Sequence, residues 1–234
     1  MTIEPTLKLH GIWPSPEEEL VIRAAVTAHE GAVDIWREWL AQNDIDRLSY
    51  GSFRLLPLVY RNLNQYGYDG PEIPKLRGAY RQSWYRNQLL VTRTAEIVGK
   101  LEDAGVSAIL MKGIPLAIRT YQDLGARSMG DGDLLVPLDQ VDRVIAVLEA
   151  AGWEPKSRAR PLVEVQHAMP YRSQDGLELD IHWFVMISHL YEAAVEPFRD
   201  GAVPLAVGGT NLRAFNVTDE LLHTCLHGLN WELG

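Results

Sequence analysis

Arg127-Ser-Met-Gly-Asp131-Gly-Asp133-Leu-Leu-Val136 is the stretch that decides the reading. Two carboxylates two residues apart lead into an apolar run, which Pro137 ends. Alternate residues of a strand point to one side, so a strand here holds Asp131 and Asp133 on a single face. Like charges held together cost free energy unless something positive lies between them. A divalent cation meets that need, and hard oxygen ligands suit magnesium, with manganese as the alternative. The pair alone is weak, because aspartate and glycine also serve ordinary turns.

Working outward, Asp139 to Ala151 reads as an amphipathic helix with Val141, Val144, Ile145 and Leu148 in one stripe, closed by Gly152. Val163–Tyr171 and Leu177–Phe184 read as paired strands around Ser173-Gln-Asp-Gly176. In the second, Leu179, Ile181 and Trp183 alternate with Glu178, Asp180 and His182. Asp180 can therefore bring a third carboxylate from a neighbouring strand. His182 shares its face, as a contact to metal, substrate or Asp180, or as a structural hydrogen bond. Upstream, Val106–Met111 reads as a buried strand broken by Gly113 and Pro115, with a short helix over Leu116–Tyr121. The Gly113 amide could face a phosphate and Lys112 could add charge; the plain alternative is a turn with a solvated lysine. Arg127 suits a triphosphate and the neighbouring carboxylates equally.

Residues 14–103 look helical. Ser15 caps a helix that starts at Pro16 and carries Glu17, Glu18 and Glu19 in its first turn. Helices follow over Gly31–Gln42, over part of Phe53–Tyr66, and over about Lys75–Glu102, where Leu90, Thr94, Ile97, Val98 and Leu101 share a face. Trp36, Trp39 and Trp84 read as core. Toward the other end, Val207-Gly-Gly-Thr210 reads as a hairpin, and a last helix starts near Thr218. His223 and His227 lie four apart on it, at zinc-ligand spacing but without the glutamate of the zinc-protease motif. The expected organisation is a helical region over 1–103 and an α+β core over 104–234.

A chain of 234 residues, 47% hydrophobic and 23% charged, can bury a sizeable core, which argues against disorder. A net charge of -9 ranks a long nonspecific nucleic-acid footprint low, while leaving room for a local basic pocket. One cysteine, Cys225, excludes an internal disulfide framework. The opening Met1-Thr-Ile-Glu-Pro5 is unlike a secretion signal, and no apolar stretch reaches the length of a membrane span. The expectation is a cytoplasmic protein with no membrane partner.

Leu110-Met-Lys-Gly113, Tyr121, Arg127, Asp131-Gly-Asp-Leu-Leu-Val136, Ala151-Gly-Trp153, Leu179-Asp-Ile-His-Trp183 and His227, in that order, resemble the uncharacterised nucleotidyltransferase family of the polymerase-beta-like superfamily. The resemblance covers roughly residues 75–230, and its ordered set is more specific than any one piece. It implies a small mixed sheet flanked by helices. It implies that Asp131 and Asp133 bind the metals, and that Asp180 binds the acceptor-side metal and helps activate the attacking hydroxyl. Two positions depart from the broader pattern. Lys112-Gly113 stands where Gly-Ser is usual, and Gly132 stands where a bulky apolar residue is usual, which would loosen the strand.

The implied activity is transfer of a nucleoside monophosphate from a nucleoside triphosphate, such as ATP, to a hydroxyl on a protein or peptide, an RNA end or a small molecule. Two readings compete. One is a nucleotide-binding or regulatory module that has lost turnover, motivated by Gly132 and by an ending soon after the last helix. The other is a metal hydrolase using Asp180, His182, His223 and His227.

Overall fold

The computed structural model describes residues 13–157 and 161–230. The opening pentapeptide read against a secretion signal lies outside them. The chain separates into two compact units, Met1–Gln82 and Ser83–Gly234.

The first unit is helical: α1 (Pro16–Val26), α2 (Gly31–Gln42), α3 (Tyr50–Phe53), α4 (Leu56–Gln65) and the opening turns of α5 (Ile73–Asp103). Ser15 caps α1 reciprocally. Its hydroxyl accepts from Glu18 N at 3.2 Å while its own N–H donates to the Glu18 carboxylate at 3.1 Å. Trp36 and Trp39 are fully buried and stack at 4.8 Å among Val21, Leu56, Val59, Leu63 and Leu76.

The second unit holds the rest of α5 and a seven-stranded mixed sheet. Its elements in chain order are β1 (Ile109–Met111), α6 (Gly113–Pro115) running into a π-turn over Leu116–Thr120, β2 (Asp131–Leu135), α7 (Val141–Ala150), β3 (Trp153–Pro155), β4 (Ala168–Ser173), β5 (Glu178–His182), α8 (Glu196–Asp200), β6 (Val203–Val207), β7 (Thr210–Ala214) and α9 (Val217–Asn230). The strand order is β3-β4-β5-β2-β1-β7-β6. β2 runs parallel to β5 and antiparallel to β1. This is the α+β architecture expected: a mixed sheet with helices around it and a helical N-terminal region. Among the described residues no helix is long and apolar enough to cross a membrane.

Three local readings need correction. The strand expected from Val163 begins at Ala168, because Leu162–Val165 forms a turn. The three-residue strand β3 went unread, being too short to show a period. Trp84 is 46% exposed, not core. In this unit α5 buries Asn87, Leu90, Thr94, Ile97 and Leu101, and Trp84 falls off that stripe. The glycine pair in Val207-Gly-Gly-Thr210 turns β6 into β7, with both glycines at positive φ (56° and 89°) as a tight two-residue hairpin requires.

Candidate active site

The sheet register brings the acidic residues together. Asp133 pairs directly with Asp180 across β2 and β5, Asp131 with Glu178, and Leu135 with His182. Directly paired residues share a face, so Asp131, Asp133, Asp180 and His182 all project to one side. Ligand atoms of Asp133, Asp180 and His182 lie within 4.8 Å of one another. Asp131 is on the same face, one pleat back, and stands outside that group of three.

Gly132 explains the opposite face. A Cβ there would lie 2.8 Å from Thr94 Oγ1 and 2.9 Å from Leu179 Cδ2. The residue is glycine because α5 crosses β2 at that point, with Thr94 tied to Leu90 O at 2.8 Å. Far from loosening the carboxylate pair, Gly132 lets the helix clamp the strand that carries it. α5 also holds the approach to β2: buried Asn87 donates to Leu124 O at 2.5 Å and to Arg127 O at 2.7 Å.

Lys112 joins the cluster directly. Its Nζ lies 2.5 Å from Asp133 Oδ1 and 3.3 Å from His182 Nε2. Its backbone is at φ 58°, ψ −116°, a region that side-chain-bearing residues rarely occupy. Gly113, next along, leaves room for neighbours: a Cβ would come within 3.0 Å of both Arg127 Nη1 and Met129 Sδ. Lys112 thus joins the acidic group, and Arg127 lies beside Gly113, the residue after it.

The electrostatics favour a cation. Burial raises the Asp180 carboxyl to about 6, with repulsion from Asp133 and Asp131 adding to it. Burial and Asp133 push Asp131 up as well. Burial would also raise Asp133, but His182 and Lys112 outweigh it and hold that carboxyl below its usual range. His182 Nε2 lies 3.0 Å from Asp133 Oδ1. Complete burial keeps this imidazole neutral against the pull of Asp133. Its Nδ1 is buried with no partner among the described residues. A bare lone pair is tolerated there better than an orphaned N–H, so Nε2 carries the proton and donates to Asp133. His182 thereby contacts that carboxylate, and it also stands in the group of three that could hold a metal ion. The remaining donors are carboxylate oxygens, and they fit magnesium or manganese.

Two further histidines face this charge field from α9. His223 is buried, its Nε2 donating to Val185 O at 3.3 Å, and His227 stacks on it at 5.6 Å. Among the described residues neither joins the group of Asp133, Asp180 and His182 that could hold a metal ion. Sequence reasoning missed His167, whose ring sits 5.4 Å from that of His182 and whose carbonyl accepts from Trp183 N and Phe184 N. It also missed Asn87. Its only trace was a polar residue on the buried stripe of α5.

A family model described as uncharacterised nucleotidyltransferase matches residues 52–233. The chain belongs to that family. It is thereby a nucleotidyltransferase. No curated protein is detectably similar. A solved structure of a lincosamide antibiotic adenylyltransferase, LnuA, with lincomycin bound is similar at a TM-score of 0.42 and 16% identity, over 56% of this chain and 83% of that one. So loose a likeness carries no argument about mechanism.

Proposed function

We propose that this nucleotidyltransferase moves a nucleoside monophosphate from a nucleoside triphosphate to a hydroxyl-bearing acceptor in a divalent-cation-dependent reaction. The observation that carries the reading is the pairing of Asp133 with Asp180 across two parallel strands, on the face that also bears Asp131. Asp131, Asp133 and Asp180 would hold the cation. When bound, the cation supplies charge neutralisation and orientation for the triphosphate.

The acceptor oxygen forms a bond to the α-phosphorus, and the bond to the bridging oxygen breaks, releasing pyrophosphate. The acceptor proton passes to the Asp180 carboxylate, the acid on the strand beside the Asp131–Asp133 pair. His182 keeps Asp133 ionised and oriented through its Nε2–H. Lys112, and Arg127 packed against Gly113, would bring positive charge to the phosphate groups. Packing against Thr94 accounts for Gly132, which was one of the two motives for a module without turnover.

The test uses α-labelled nucleoside triphosphates with magnesium or manganese and a panel of peptide, RNA-end and small-molecule hydroxyl acceptors. Wild type should transfer label, or label itself, and release pyrophosphate, whereas Asp133→Asn should do neither. Equal label transfer by the variant, or none by wild type across the panel, would overturn the reading.

A further inference from the structure

We propose that Lys112 is a resident, exchangeable cation: its ammonium holds the metal-binding carboxylate until metal and nucleotide arrive together, then moves onto the nucleotide's phosphates. This rests on the proposed reaction and adds an order of binding to it. The Lys112 ammonium touches Asp133 Oδ1, within the group formed by Asp133, Asp180 and His182. Both side chains are largely out of water, at 20% exposure for Lys112 and 4% for Asp133. A divalent cation on that carboxylate would meet the ammonium across a short, poorly screened gap, and the two like charges would repel. One of them must move.

Lys112 is the one built to move. It sits on a flexible four-carbon stem, whereas Asp133 and Asp180 are fixed by sheet register. Its backbone conformation would suit glycine, so a lysine here is held at the expense of strain. The ion pair with a buried carboxylate compensates for that strain. Leaving Asp133 strands the ammonium unless another anion receives it. A triphosphate does, with the Arg127 guanidinium packed against Gly113, the residue after Lys112. Free metal should therefore bind weakly, and metal with nucleotide should bind cooperatively, each favouring the other by the same factor.

The experiment measures Mn2+ binding by the spin-resonance signal of free Mn2+, with and without a nonhydrolysable nucleoside triphosphate. It compares wild type, Lys112→Met and Lys112→Gly, with circular dichroism to establish folding. Lys112→Gly relieves the backbone and serves if the methionine variant does not fold. Both variants should bind Mn2+ alone about tenfold or more tighter, the scale of one charged hydrogen bond removed. Both should lose the enhancement that nucleotide gives the wild type. Asp133→Asn should lose Mn2+ binding. Unchanged or weaker Mn2+ binding in the folded lysine variants overturns the exchange. Label transfer by wild type alongside that result would leave the proposed reaction standing; tightened binding without any transfer would sink the reaction and keep the exchange.

Discussion

On one face of β2, Asp131 and Asp133 share the side of the sheet with Asp180 and His182. On the other, Gly132 lies against Thr94 and Leu179, and Leu134 and Ile181 follow it into the core. The first face gathers like charges, balanced in part by the Lys112 ammonium. The second brings α5 close against the strand. A single five-residue strand thus separates chemistry from stability by residue parity, and substitutions on its two faces should fail in different ways.

The largest expected effect is on the acidic face. Asp133→Asn should lower pyrophosphate release on the order of 10²–10³-fold or more, the scale of losing a principal electrostatic group, and should lower the melting temperature while the fold is kept, because the Lys112 ammonium loses its buried partner. A collapse of the fold instead would break the division between faces. Next, Gly132→Val should destabilise by about 1–3 kcal/mol through overpacking against Thr94, read by denaturant unfolding. Gly132→Ala combined with Thr94→Ala should recover much of the loss of Gly132→Ala alone; no recovery would mean the contact has been misread.

A smaller effect comes from the imidazoles near the site. Burial, with repulsion from neighbouring cations, holds His167 and His223 down to about 4 from 6.5. A depressed folded-state value contributes stability above the unfolded value that is lost as pH falls toward 4. Asp180, raised to about 6, acts in the opposite sense: its penalty grows as pH rises through that value. Two imidazoles outweigh one carboxyl, so the metal-free protein should melt a few degrees lower at pH 5 than at pH 7, with about 1 kcal/mol corresponding to ~2–4 °C. His223→Gln should shrink that drop. The smallest effect lies in the first unit: Ser15→Ala should cost about 1 kcal/mol and leave label transfer intact.

Parity explains what could be read in advance. Asp131, Asp133 and Asp180 on one face follow from a period of two, and the Leu90–Leu101 stripe follows from a period of 3.6. What stayed hidden depends on partners distant in the chain. Gly132 looked like a weakness until Thr94 was seen opposite it. Lys112 carried no sign of its positive φ. Asn87 and His167 are set by the loops they meet. The Asp131 carboxylate shares the expected face but stands back from the tight group, because strand parity fixes direction and not side-chain reach.

The direct alignment of Asp133 with Asp180 has a consequence for how the molecule matures. Parallel strands cannot be joined by a tight turn, and here α7, β3 and β4 intervene between β2 and β5. Pairing so remote in the chain forms slowly, and a slip of one residue would turn each acid on the slipped strand to the wrong side. A half-folded chain therefore has no such cluster to offer, and Mn2+ retention during refolding should report the moment the sheet closes.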